Sequence, residues 1–287
     1  MVAMTLGSSP RGVYNPGVVE HRHLPDSEKL SILAALILLA YALARFINVP
    51  VNEIEMQLPG MFINFQLNVR TIVALLVAGI TAAGADWLLR SHPRIEGHRT
   101  IEHWILPGIT AWVIGLPIFQ LPPGLSWWLW FFIGGTLLIL VMVAEYITID
   151  PDDIRQPIAT AGLTAVAYAL FLVLSITVKD AGVRLYVLLS ALVLAIGAIS
   201  LRTLHLRLHG RWAFLYSLVI VIIVAQITSA IYYLPISPVS FGLILLGLAY
   251  GITGVIANLA NGLSLKRAVV EPGSVFIIIL ITVLWLR

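Results

Sequence analysis

The segment Arg70–Arg90, "RTIVALLVAGITAAGADWLLR", holds an uncharged, mostly apolar run between Arg70 and Asp86, with a tryptophan directly after the aspartate. An α-helix needs about 20 mostly apolar residues to cross the hydrocarbon core of a bilayer, and this segment has that length. Similar runs recur along the chain of 287 residues, which is 60% hydrophobic and 11% charged, whereas soluble domains carry roughly 25% charged residues. The sequence therefore predicts an all-α fold, a polytopic bundle of transmembrane helices.

Charged residues and Pro/Gly breaks divide the chain into about nine such helices. A polar tail, residues 1–28, precedes them, and residues 29–287 are expected to form a single transmembrane domain. The first apolar run contains Ala42-Leu43-Ala44, which matches a signal-peptidase pattern, but Arg45 follows it directly and favours an uncleaved helix over a cleaved signal. The helices are expected near residues 30–49, 70–90, 103–121, 126–147, 157–178, 184–209, 212–233, 239–261 and 272–286.

The basic residues are divided unevenly between the two sets of loops, which indicates the orientation of the bundle. With the N-terminus inside, twelve of the 17 lysines and arginines fall on inner segments, as the positive-inside rule requires. Tryptophans favour the headgroup level, and seven of the eight fall near predicted helix ends. We therefore expect an N-in, C-out topology. The inner basic residues are Arg11, Arg22, Lys29, Arg90, Arg94, Arg99, Arg155, Arg202, Arg207, Arg211, Lys266 and Arg267.

The first outer loop, residues 51–69, differs from the short connections between the other outer helix ends. Apolar and polar residues alternate on both sides of Pro59-Gly60, and period two around a turn signal is typical of a small β-hairpin. Pro-Gly suits a type II turn, so we expect a looser loop or a bulge rather than a tight hairpin. The hairpin would cover the outer helix ends, and the alternative is a strand edge offered to a partner.

An acidic cluster follows the fourth helix, in "EYITIDPDDIR". Aspartates at a membrane edge can hold Mg²⁺ on a diphosphate, because that ion prefers oxygen ligands. The simpler interpretation is a short interfacial helix that ends before Pro157, with Asp150 as its N-cap and the next aspartates at the positive end of its dipole. The members of this part of the predicted inner-face polar cluster are Glu145, Asp150, Asp152, Asp153 and Arg155.

A basic patch, "RTLHLRLHGR", ends the sixth helix, and Arg202, His205 and His209 fall on one of its faces. The two histidines have the spacing of a shared metal site, but no acidic third ligand lies nearby on this helix. Cations at a helix C-terminus are favoured by its dipole and by anionic lipids, so we expect a surface patch with no metal, cofactor or nucleic acid bound. The absence of cysteine excludes thiolate sites and disulfides.

Two further features concern residues inside the membrane. Glu145 is the carboxylate expected to be partly submerged, and it needs a partner such as Arg202. The eighth helix has small and amide residues at helical spacing, including a GxxxG match that favours close helix packing. The alternative is a cavity wall, in which Gln226 of the seventh helix and the two asparagines contact a substrate. This stripe consists of Gln226, Gly247, Gly251, Gly254, Asn258 and Asn261.

Three stretches, "LNVRTIVALLVAGITAAGADWLLR", "AEYITIDPDDIRQPIATAGLTA" and "SLRTLHLRLHGRW", resemble an uncharacterised multi-pass membrane family of the green non-sulfur bacteria. The resemblance covers roughly residues 30 to 287. It implies a bacterial plasma (inner) membrane. Because that family is one of unknown function, the resemblance supplies no catalytic residues.

The sequence contains no motif with catalytic spacing and no ionisable pair in the middle of a span. We therefore expect an integral membrane protein without enzymatic activity, a subunit or scaffold of a membrane assembly. Its partners would be the lipid bilayer and other membrane subunits or further copies of the chain. Two alternative functions remain open. One is a transporter or flippase of a small or lipid-linked solute, and the other is a lipid-headgroup or prenyl-diphosphate enzyme at the inner face.

Overall fold

The computed structural model describes residues 25–46, 52–58, 61–67, 69–92, 100–150, 152–208 and 210–286. The predicted polar tail, the Pro59-Gly60 turn and His209 lie wholly or mostly outside these residues. The described part of the chain contains two strands, β1 (Asn52–Leu58) and β2 (Met61–Leu67). Its helices are α1 (Ser27–Phe46), α2 (Val69–Leu89), α3 (Ile105–Gln120), α4 (Leu125–Ile147), α5 (Gln156–Asp180), α6 (Leu185–Arg207), α7 (Phe214–Tyr232), α8 (Pro238–Ala260) and α9 (Leu265–Trp285).

Eight helical segments among the described residues are long and apolar enough to cross a membrane. They correspond to α2 to α9. The segment that contains α3 starts earlier than the helix itself, with a 3-10 turn at Ile101–His103. The sequence predicted about nine crossings. Helix α1 is the predicted one that is not among the eight segments long and apolar enough to cross. The chain is therefore a helical, multi-pass membrane protein by length and composition.

The start of α9 differs from the prediction, which placed it at Pro272. The helix begins at Leu265 and includes Lys266, Arg267 and Glu271 in its first turns. Proline inside a helix removes one N–H and frees the carbonyl four residues earlier, here that of Ala268. The Asn258 amide of α8 donates to this carbonyl at 3.1 Å. A bond from the neighbouring helix thus replaces the one that Pro272 cannot make.

Strands β1 and β2 occupy the segment in which apolar and polar residues alternate, and they pair antiparallel. The register runs without interruption from Asn52 opposite Leu67 to Leu58 opposite Met61. The bulge that we expected from Pro59-Gly60 is therefore absent from the described pairs. The Pro59-Gly60 turn itself, where the looser loop was expected, lies outside the described residues.

The core consists of two apolar clusters that meet at α3. Ile109 and Val113 pack into the larger cluster with α5, α6 and α8, while Ala111 and Ile114 pack into the smaller one with α1, α2 and α4. Close approach to α1 depends on Gly115, since a Cβ there would lie 2.7 Å from the Tyr41 ring. The Tyr41 hydroxyl donates to the Ala111 carbonyl of α3. Helix α3 is thus buried on two sides and joins the two halves of the bundle.

One end of the bundle carries most of the described basic side chains, and we call it the basic end. It contains the described residues between α2 and α3, between α4 and α5, between α6 and α7 and between α8 and α9. At the opposite end the α3–α4, α5–α6 and α7–α8 connections are short, as predicted. There Lys179 of α5 donates to the Tyr232 carbonyl of α7 at 2.6 Å.

Candidate functional site

The most deeply buried charges lie at the basic end, where the last turn of α4 meets α6. Glu145 and Arg202 are each 1% exposed. The Arg202 Nε donates to Glu145 Oε1 at 3.1 Å, and its Nη2 donates to Oε2. This paired geometry matches the two carboxylate oxygens with two parallel guanidinium donors. The sequence predicted this partnership, and the structure forms it.

His103 is the third member of this cluster, and the sequence did not single it out. Its Nδ1 lies 2.7 Å from Glu145 Oε2 and 3.1 Å from Arg202 Nη2. Because the carboxylate has only acceptors, the shorter contact is a bond from an Nδ1–H to Oε2, and the Arg202 Nη2 then donates to the carboxylate and lies beside Nδ1 without bonding to it. The 3-10 turn at Ile101–His103 places this ring beside α4 and α6. We call Glu145, Arg202 and His103 the buried triad.

The buried triad connects three separate parts of the chain and neutralises its own charge. Its carboxylate and guanidinium bind each other, and their side chains are 1% and 2% exposed. Removing both partners from water is costly, and the pair is retained only where geometry and hydrogen bonds compensate. The arrangement therefore suits a fixed link between helices better than a group that binds a substrate.

The acidic segment after α4 forms turns and not the short helix that we predicted. Asp150 Oδ1 accepts from the Asp152 backbone N–H at 2.9 Å, so it bridges two residues in an Asx-type turn. Pro157 lies at the start of α5 instead of ending a helix before it. Proline is compatible with a place just after a helix and with the first turn of one, because the N–H that it lacks would have no partner within the helix there.

Asp153 and Arg155 form a local ion pair in this segment. Asp153 Oδ1 accepts from the Arg155 backbone N–H at 2.8 Å, and Oδ2 accepts from Nη2 at 2.8 Å. The carboxylate raises the pKa of Arg155 above its usual value through this hydrogen bond. The described residues contain no group of three or more His, Asp or Glu side chains placed to hold a metal ion.

His205 lies near the triad but contacts a different partner. Its ring is 4.7 Å from the Trp212 ring, and Trp212 stacks on Phe214 at 5.4 Å. The buried His205 Nδ1 has no hydrogen-bond partner among the described residues. His209, the other histidine with the spacing of a shared metal site, lies outside them.

Two other polar clusters lie at the basic end. Asp86 accepts from Arg90 Nε, four residues later, at 2.7 Å, and also from Thr100 and from Trp104 Nε1. The second cluster was not predicted from the sequence. In it the Tyr250 hydroxyl donates to Glu271 Oε1 at 3.1 Å, while the Arg207 guanidinium lies 5.8 Å from the Tyr250 ring. Its residues come from three helices, and their sequence spacing gives no signal of the contact.

The small-residue stripe of α8 packs against α9. A Cβ at Gly254 would lie 2.8 Å from Pro272 Cγ, and one at Gly247 would lie 3.0 Å from the Phe276 ring. Gly251 lies opposite the same turn of α9, where a Cβ would be 3.9 Å from the Pro272 carbonyl oxygen. The Asn261 amide is 3.4 Å from the Arg207 carbonyl oxygen of α6. The stripe therefore has the packing role that the GxxxG match indicated.

Gln226 lies apart from this stripe, on the exposed face of α7. The buried face of α7 is formed by Ser217, Ile220, Val224 and Thr228. Gln226 instead follows Leu218 and Ile222 at four-residue intervals, and these are 54% and 47% exposed. The structure thus separates the amide from the α8 residues with which the sequence grouped it.

Comparison with known proteins places the chain in a family without an assigned activity. No curated protein and no solved structure matches it. A family model described as "Protein of unknown function (DUF5656)" matches residues 49–286. This match confirms the resemblance to an uncharacterised family. Since the matched region includes both strands, α2 to α9 and the buried triad, the chain belongs to the DUF5656 family.

Proposed function

We propose that the protein is a non-enzymatic subunit of a membrane assembly, and that the exposed face of α7 binds a transmembrane helix of another subunit. The observation that carries this proposal is the position of Gln226. The localisation that we propose is a bacterial plasma membrane.

Gln226 lies near the middle of α7, a helix of 19 residues of which 22% is buried. None of the described residues is within hydrogen-bonding distance of its side-chain amide. In a bilayer this position would face hydrocarbon, where an unsatisfied amide costs several kcal/mol. Polar side chains of this kind hydrogen-bond across helix interfaces in membrane proteins. A second helix on this face would satisfy the amide.

The surroundings of Gln226 support a protein contact over a solute contact. Its neighbours Leu218 and Ile222 are apolar and exposed, so a partner helix would also gain packing contacts there. A transporter is expected to turn its polar groups into a cavity between its own helices. Gln226 points away from them, while Glu145 and Arg202 bind each other.

Single cysteines test the proposal directly, because the chain contains no cysteine of its own. We would compare Gln226→Cys and Ile222→Cys on the α7 face with Leu194→Cys, which is 67% exposed on α6. A thiol-linked photocrosslinker in native membranes should give one adduct of defined size at positions 226 and 222. Position 194 should not give this adduct. The same product at all three positions, or none at 226, would contradict the proposal.

The size and identity of the adduct distinguish a second copy of the chain from a different subunit. An adduct of twice the chain's mass indicates a second copy, and mass spectrometry identifies any other subunit. Gln226→Leu should weaken the association by about 1 kcal/mol, roughly fivefold in the association constant. Size-exclusion chromatography in mild detergent over a concentration series would measure this shift, with Leu194→Ala as the matched control.

A further inference from the structure

A groove at the basic end lies where the end of α6, the start of α7 and the end of α8 meet. It has a volume of about 490 Å³ and is partly open. Leu208 and Ala213, both buried, form apolar parts of its wall. Arg211, Trp212 and Tyr216 line it from the α6–α7 connection and the first turn of α7, and Asn261 lines it from the end of α8. None of these residues belongs to the buried triad.

The polar groups of this groove are mainly hydrogen-bond donors. The guanidinium of Arg211 and the indole N–H of Trp212 only donate, and the lining contains no carboxylate. Arg211 is exposed and forms no ion pair with the residues that the structure describes. The groove therefore offers a net positive charge and unpaired donors, which fit an anion.

The start of α7 adds to this preference. Ala213, its N-cap residue, has no side-chain acceptor, so no side chain caps the first N–H groups of the helix. The N-terminus of a helix carries a partial positive charge and free N–H groups. Because Ala213 and Tyr216 both line the groove, this end of α7 and the Arg211 guanidinium act on the same space.

The surface beside the groove is apolar and suits the chains of a lipid. Phe214 and Leu215, in the first turn of α7, are 64% and 71% exposed. Trp212 stacks on Phe214 with an interplanar angle of 9°, and tryptophan prefers the level of the lipid headgroups. A ligand here would meet donors at one end and an exposed apolar helix face at the other.

We propose that this groove binds the phosphate headgroup of an anionic phospholipid, with its acyl chains against Phe214 and Leu215 in the first turn of α7. Arg211 pairs with the phosphate, while Trp212 and Asn261 donate to its oxygens or to the glycerol backbone. A basic pocket between transmembrane helices is the kind of site that holds anionic headgroups. The site is independent of the subunit contact proposed at Gln226, which lies further along α7.

The experiment uses the purified full-length chain in a neutral detergent and measures its thermal unfolding. Short-chain phosphatidylglycerol, phosphatidylcholine of the same chain length, and inorganic phosphate are titrated separately. Phosphatidylglycerol should raise the unfolding temperature in a saturable way, and the other two should not. Equal effects of the two lipids would overturn the proposal. Saturable stabilisation by inorganic phosphate alone would assign the groove to a free anion and would also overturn it.

Two variants and a matched control locate the effect. Arg211→Gln should weaken phosphatidylglycerol binding about tenfold, since it removes a charge-assisted contact. Arg267→Gln removes the same charge from an exposed position of α9 at the same end of the bundle and should leave binding unchanged. Trp212→Leu should also weaken binding, and it keeps the test informative if Arg211→Gln does not fold. Equal losses in Arg211→Gln and Arg267→Gln would indicate a diffuse charge effect and would refute the site.

Discussion

Removal of the Glu145 carboxylate would leave the Arg202 guanidinium charged and buried without a counterion. Loss of one partner of a buried pair typically costs about 3–5 kcal/mol, and Arg202 is 1% exposed. Glu145→Gln should therefore lower the free energy of unfolding by roughly 3 kcal/mol. Thermal or denaturant unfolding of the purified protein in detergent measures this change.

A double variant separates the charge effect from loss of packing. In Glu145→Leu/Arg202→Met both charges are replaced by apolar groups of similar length, and such exchanges are often close to neutral. We expect the double variant to be more stable than either single variant, and a cycle of the four proteins gives the coupling. If the double variant lost as much free energy of unfolding as the two single variants lose together, the pair would contribute through its shape alone.

The buried triad shows how far residue-level inference reaches. A carboxylate near the end of an apolar helix needs a partner, and Arg202 is a cation at the matching end of another helix, so their pairing follows from charge and topology. His103 could not be selected from the seven histidines, because its place depends on how the 3-10 turn docks between α4 and α6. That geometry is set by tertiary packing.

Helices α8 and α9 illustrate the same limit for whole elements. The sequence predicts most helix ends well, because charged residues and Pro/Gly breaks mark them. It failed at α9 because Pro272 and the charges before it resemble a helix boundary. The helix continues because α8 lies alongside: Gly254 leaves room for the proline ring, and Asn258 bonds the Ala268 carbonyl. These compensations come from another helix and cannot be deduced from the sequence of α9.

This arrangement predicts a coupling between Asn258 and Pro272. Asn258→Leu would leave the Ala268 carbonyl unsatisfied, and we expect it to cost about 1–2 kcal/mol of stability. In a Pro272→Ala background the backbone N–H at position 272 can donate to that carbonyl. Asn258→Leu should then cost clearly less. Unfolding of the four proteins measures the coupling, and equal costs in both backgrounds would contradict the proposed compensation.

At the scale of the whole molecule, the distribution of charge predicts how the bundle lies in the membrane. The basic end contains Lys29, Arg90, Arg155, Arg211 and Arg267, among others. Positively charged loops remain on the cytoplasmic side when membrane proteins insert. We therefore expect the basic end, with the proposed phospholipid groove and the buried triad, to face the cytoplasm. A reporter fused after Arg287 should then report the outside.

Two serines that the structure places at opposite ends provide a matched test of this orientation. Ser126 lies in the first turn of α4 at the opposite end, and Ser264 precedes α9 at the basic end; both are exposed. In the cysteine-free chain, Ser126→Cys should react with a membrane-impermeant maleimide in intact cells, whereas Ser264→Cys should react only after lysis. The reverse pattern would invert the orientation, and labelling of both in intact cells would contradict their placement on opposite sides. Because serine and cysteine are nearly isosteric and both sites are exposed, a difference in labelling reports the side of the membrane and not a change in folding.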